Sequence, residues 1–136
     1  MDKSAQKLKE IYCSYIDDVF NQGRFDKLDQ YLCEDYQIRD VPPGQDTSPN
    51  GVIEIVKMFK RGFPDFNISL DEVITEGDLV ACRSTFTGTH LGEFMGIRPS
   101  LKSVQFTSLT MVKFRDGQII ESRVRNDMET LKRQLK

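Results

Sequence analysis

A chain of 136 residues with 19 basic and 21 acidic side chains has room for one domain, residues 1–136, and a formal charge of −2. That balance gives no electrostatic footing to nucleic acid or an anionic membrane surface, and the short apolar runs exclude a transmembrane helix. Cys13, Cys33 and Cys82 are an odd, widely spaced set without a C-x-x-C pair, so reduced thiols in a cytoplasmic protein are expected.

Met1-Asp2-Lys3-Ser4 opens into a charged amphipathic pattern and does not read as a signal peptide. Leu8, Ile11, Tyr12, Tyr15, Ile16, Val19 and Phe20 recur at steps of three and four and predict a first helix, stopped at Asn21-Gln22-Gly23. Phe25, Leu28, Tyr31 and Leu32 predict a shorter second helix. Residues 36–41 read as a short strand that Pro42-Pro43-Gly44 ends. Helical spacing returns through Val52, Ile53, Val56, Phe59 and Phe63, with capping groups at Ser48-Pro49-Asn50. Phe63-Pro64-Asp65 closes that helix, because proline disfavours the α region for its predecessor.

From there the period changes to two. Residues 66–75, 78–90, 102–115 and 118–126 predict four strands, with hairpin turns at Glu76-Gly77-Asp78 and Arg115-Asp116-Gly117. Asp127 opens a final helix through Met128, Leu131 and Leu135. Helices followed by antiparallel strands make an α+β domain, whose curled sheet buries one face against the helices and leaves a cavity.

Two strand faces bear on a site. Val80, Cys82, Ser84, Phe86 and His90 share one face of residues 78–90. Val104, Phe106, Val112 and Phe114 form a matching face that Ser108 and Thr110 interrupt. Hydroxyls in an apolar row suit a pocket wall. Between these strands, residues 86–99 read F-T-G-T-H-L-G-E-F-M-G-I-R-P, with Gly88, Gly92 and Gly96 spaced by four around the only histidine, His90. A histidine there can donate, accept or carry a proton, or can be a hydrogen-bonded structural residue. Neither metal-ligand nor nucleophile–base spacing surrounds it, so no metal site is expected.

Phe63-Pro64-Asp65, Glu76-Gly77-Asp78-Leu79-Val80, the Gly88–Ile97 segment and Phe114-Arg115-Asp116-Gly117-Gln118-Ile119-Ile120-Glu121 resemble the SnoaL-like polyketide cyclase (ester cyclase) family, and the likeness continues to Asp127 and Gln134-Leu135. The resemblance implies an NTF2-like cone, a curved and mostly antiparallel sheet wrapped by helices around an internal cavity. It implies ring closure or isomerisation of a small hydrophobic carbonyl compound without metal or organic cofactor. Asp127 would be the acid/base and His90 the polarising partner. Phe86, Phe94, Phe106, Ser108, Met111 and Arg125 would contact substrate, and a homodimer or higher homo-oligomer is implied. Arg123 stands where members carry tryptophan.

In a regular strand Arg123, Arg125 and Asp127 alternate onto one face, about 6.5 to 7 Å apart. An Arg125 inside the pocket would hold Asp127 ionised. Asp127 also has the position of an ordinary helix cap. Two other readings stand beside the cyclase: a small-molecule-binding protein without chemistry, and epoxide opening, since Arg125-Asn126-Asp127 resembles part of the limonene-epoxide hydrolase site. An assembly scaffold is a further possibility.

Overall fold

The computed structural model describes residues 3–136. Helix α1 (Lys3–Tyr15) runs on into a wider π-helical segment, Ile16–Asn21, and a 3-10 turn, Phe25–Lys27, leads into the short α2 (Leu28–Tyr31). Then come β1 (Leu32–Ile38), α3 (Pro49–Gly62), β2 (Asn67–Glu76), β3 (Leu79–Thr89), β4 (Ser103–Arg115), β5 (Gln118–Asn126) and α4 (Met128–Gln134). The four C-terminal strands and the final helix match the sequence reading within a few residues. The first strand does not: it begins at Leu32, directly after α2, and ends at Ile38. Its Leu32-Cys33-Glu34-Asp35 opening is buried, buried, exposed, exposed, so no alternation marks it.

Among the described residues the strands form one sheet in the order β1-β5-β4-β3-β2. β1 lies parallel to β5 and the other pairings are antiparallel. Register irregularities at Leu70/Glu72, Lys113/Phe114 and Leu32/Gln37 each add a local bend. The sheet therefore curves, with α1 and α3 against its concave side. This is the α+β cone that the pattern predicts, made mixed by β1.

One aromatic stack fills the end of the cone nearest α3. Phe59 of that helix meets Phe86, Phe94 and Phe106 at ring separations of 5.2, 5.3 and 6.4 Å, and Phe86 stacks on Phe106 at 4.6 Å. Phe63 is fully buried beside them. Each such side chain stabilises the fold by about 1.5–3 kcal/mol through removal from water. The loop after β3 seals this end. Met95 (φ 49) and Gly96 (φ 79) turn a minimal hairpin in which Phe94 and Ile97 exchange backbone hydrogen bonds, and this drives Phe94 into the stack. Gly92 lies so close to α3 that a Cβ there would sit 1.9 Å from the Arg61 carbonyl oxygen. Only glycine fits.

Candidate functional site

His90 follows β3 and is fully buried, its ring 5.5 Å from that of Phe63. The Ser100 N–H donates to Nδ1 at 3.0 Å, and the Ser100 hydroxyl lies 2.9 Å from the same atom. An N–H donates only to an unprotonated nitrogen, so the neutral ring carries its proton on Nε2, which is buried without a partner. His90 thus ties the two ends of the 91–101 loop together beneath the aromatic stack.

Asp127 lies between the end of β5 and the start of α4. It is exposed and caps α4, accepting from the Thr130 N–H at 3.1 Å and the Thr130 hydroxyl at 2.6 Å. Those two bonds, the hydroxyl first, hold its carboxyl below the ordinary aspartate range. The His90 N–H bonds the carbonyl of Lys102 and the Asp127 N–H that of Thr107. At ~3.4 Å per residue these anchor points, Lys102 just before β4 and Thr107 within it, are roughly 17 Å apart. The structure does not bring these two residues together.

Nor do the other candidates form one wall. Phe86, Phe94 and Phe106 are no more than 5% exposed and pack on one another rather than around an opening. Met111 and Arg125 lie on the outer face, in register with Arg123 and Leu109 respectively. The Arg125 guanidinium donates to the carbonyl oxygens of Asp40 and Val124. It does not reach into the concavity, and the Arg125-x-Asp127 pair does not converge. Of the predicted contacts, Ser108 alone combines a concave-side position with partial exposure.

The concave face reveals a different grouping. Beyond the aromatic stack, register aligns Ser84, Ser108 and Asn126 in one row and Thr110 and Val124 in the next. Ser84 and Ser108 share a hydrogen bond of 2.7 Å. Tyr36 of β1 bonds the Ser122 hydroxyl, and Tyr12 of α1 lies beside Thr110. Burial pushes the Tyr36 phenol up to about 12 and raises those of Tyr12 and Tyr15 as well, so all three stay protonated donors at neutral pH. Ser108 and Thr110 are half-buried while Val124 and Asn126 are exposed, which opens this belt to solvent beside Asp127. None of the belt's strand residues is a carboxylate or an imidazole.

Two open clefts lie elsewhere. One is lined by Cys33, Glu34, Asp35, Arg115, Asp116 and Gln118, and the other includes Asp65, Thr87, Thr89, Ser103 and Gln134. Among the described residues no cluster of three histidine, cysteine, aspartate or glutamate side chains is placed to hold a metal ion, and no helix is long and apolar enough to cross a membrane.

The sheet, the loop sealed by Phe94 and the terminal Gln134-Leu135 segment occur here in the order that the sequence motifs follow. The family model for SnoaL-like polyketide cyclase matches residues 11–135. The chain belongs to that family. It is 28% identical over 120 residues to nogalonic acid methyl ester cyclase of Streptomyces nogalater, covering 86% of this chain and 89% of that protein. The structure of IdmH from Streptomyces antibioticus superimposes with a TM-score of 0.82 at 29% identity, over 94% of this chain and 97% of that one. A SnoaL-like protein from Jannaschia Sp. CCS1 shares the fold with a TM-score of 0.88 at 21% identity, over 99% and 95% of the two chains. This SnoaL-like chain therefore has the NTF2-like fold throughout its described length, and a cyclase-type function follows from the family.

Proposed function

We propose that this chain is a cofactor-independent acid/base enzyme that takes a small, mainly apolar carbonyl compound onto its concave face and closes or isomerises it by an aldol-type step. The observation that carries this reading is the uncharged hydroxyl belt of Ser84, Ser108, Thr110, Ser122, Tyr12 and Tyr36 set among apolar residues. Neutral donors held in a poorly hydrated wall suit a carbonyl oxygen that gains charge as an enolate forms.

Asp127 adjoins the belt through its neighbour Asn126, which pairs with Ser108. Held ionised by Thr130, it serves as the base. It withdraws a C–H proton, the enolate carbon bonds to a second carbonyl carbon, and the resulting alkoxide takes the proton back. The net change is an isomerisation. His90 contributes by fixing the loop that closes the aromatic end. Two buried thiols and one exposed thiol, all free, suit a reducing cytoplasm.

The test uses nogalonic acid methyl ester, the compound named for the Streptomyces nogalater relative, as probe. Asp127→Asn is expected to slow cyclisation by about 10²-fold or more with binding nearly unchanged, and Ser108→Ala to weaken binding. Cyclisation by Asp127→Asn at the wild-type rate would remove Asp127 from the mechanism. A second reading, ligand binding without turnover, is favoured by the lack of any carboxylate or imidazole on the belt. Binding of the probe without conversion by the unaltered protein would select it.

A further inference from the structure

His90 is fully buried and tied to Ser100, so the polarising role that the resemblance implies for it needs another donor. The solvent edge of the hydroxyl belt supplies one. Asn126 ends β5 in register with Ser108, and residues directly opposite in an antiparallel pair share a face. Its side chain is therefore turned to the concave face, where it continues the row of Ser84 and Ser108. Asn126 is exposed, Ser108 half-buried and Ser84 buried, so this row runs from solvent into the wall.

The residues on either side of Asn126 are committed. Arg125 donates to the carbonyl oxygens of Asp40 and Val124, and Asp127 accepts twice from Thr130. The Asn126 carboxamide has no hydrogen-bond partner among the described residues. Ser84 and Ser108 share one bond, and the buried member spends its proton in it, because a Ser108 donor would strand the Ser84 proton in the wall. Ser108 therefore keeps its own proton for a ligand. Two neutral donors result, the Ser108 hydroxyl and the Asn126 Nδ2–H, on Cβ atoms about 5 Å apart. An oxygen between them can lie within about 3 Å of both.

We propose that Asn126 touches the substrate and donates, together with Ser108, to the carbonyl oxygen that becomes the enolate. The assignment rests on the acid/base reading above. As Asp127 withdraws the C–H proton, the C–H electron pair forms the new C=C bond and the carbonyl π pair passes to oxygen, where the two donors meet it. When the enolate carbon bonds the second carbonyl carbon, that charge leaves the first oxygen again. Asn126 and Ser108 keep their protons throughout, so their bonds are strongest while the charge exists and weaker before and after. A carboxylate in place of the amide would instead repel both the enolate and Asp127.

Nogalonic acid methyl ester again serves as probe. No bond of the fold uses the Asn126 side chain, so its replacement leaves the thermal unfolding midpoint where it is. Asn126→Leu keeps the bulk and removes both donors, and kcat is expected to fall about 10²-fold with KM little changed. Asn126→Asp is nearly the same size and should fall at least as far. In isotope-labelled unaltered protein, the side-chain amide resonances of Asn126 should shift when the probe binds. Cyclisation by Asn126→Leu at the wild-type rate overturns the assignment and leaves the acid/base reading standing. Binding without conversion, with the Asn126 resonances shifted, overturns the reaction and keeps the contact. Resonances that do not move in the bound state overturn the contact whether or not the probe is converted.

Discussion

The side-chain amide of Gln134 binds the backbone of Gln105 as a neighbouring strand would. Its Nε2 donates to the Gln105 carbonyl at 2.8 Å, and its Oε1 accepts from the Gln105 N–H at 2.7 Å. β5 ends at Asn126, opposite Ser108, so β4 has no strand partner at Gln105 on that side. Gln134 supplies the missing pair and docks α4 there, with Leu131 and Leu135 buried beneath. This gives a physical reason for Gln-Leu at the end of the family pattern. The same device appears at the opposite edge, where Asn21 pairs with Ile68.

Gln134→Ala should therefore cost more than an exposed glutamine normally does. Two backbone groups lose their partners, each bond being worth about 1 kcal/mol net. Urea denaturation should show a loss of about 1–2 kcal/mol with an unchanged m-value. A loss of only a few tenths would mean that Leu131 and Leu135 hold α4 without help.

The elements of this cone were legible because their periods are strong: alternating residues through Val80–Phe86 and Val104–Phe114, and three- and four-residue steps in α1 and α3. The site was less so, and one residue explains much of the difference. Phe114 pairs with Ile119 but Lys113 pairs with Glu121, so Ile120 is an extra residue in β5. Strict alternation from buried Ile119 would carry Arg123 and Arg125 to the concave side. The bulge reverses the parity and turns Ser122, Val124 and Asn126 inward instead. A bulge within an apolar Ile-Ile pair leaves no mark in composition. The partnership of Tyr36 with the Ser122 hydroxyl was equally hidden, because Tyr36 fits an ordinary core position and its partner is distant in sequence.

Tyr12, Tyr15 and Tyr36 predict an alkaline limit to stability. A phenol raised above its ordinary value of 10.0 in the folded state keeps its proton longer folded than unfolded. Below pH 10 both states are protonated and the group has no pH dependence. Above it the unfolded state releases the proton first, so stability falls as pH rises, through the window from 10 to about 12 for Tyr36. Thermal unfolding from pH 8 to 11.5 should show this decline, and Tyr36→Phe should make it shallower. An unchanged slope in that variant would mean that Tyr36 ionises as readily folded as unfolded.

Asp127 sets a limit at the acid end, with the opposite sign. Its carboxyl is depressed in the folded state by Thr130. Its contribution is complete above the unfolded value of about 3.9 and is lost as pH falls through the lower folded value. Asp127→Ala should therefore destabilise the protein at pH 7, and the gap to the unaltered chain should narrow below about pH 4. Asp127→Asn retains an oxygen that can accept from Thr130 and should lose much less. A gap that stays constant down to pH 2 would show that the charge adds nothing to the cap.

His90 separates a structural from a catalytic role. His90→Phe keeps a ring in the slot beside Phe63 but removes the Nδ1 acceptor, leaving the Ser100 N–H without its partner. The expected loss is about 1–3 kcal/mol, accompanied by faster amide exchange in residues 91–101. Replacing Ser100 as well, with alanine, removes the hydroxyl but not the stranded N–H, so the double variant should gain little back. If His90 acts only through the loop, kcat for the cyclisation probe should follow the fraction of protein with an ordered loop. Rate loss in His90→Phe with normal exchange protection would instead require the imidazole to meet substrate, and the buried position of Nε2 would then have to open during turnover.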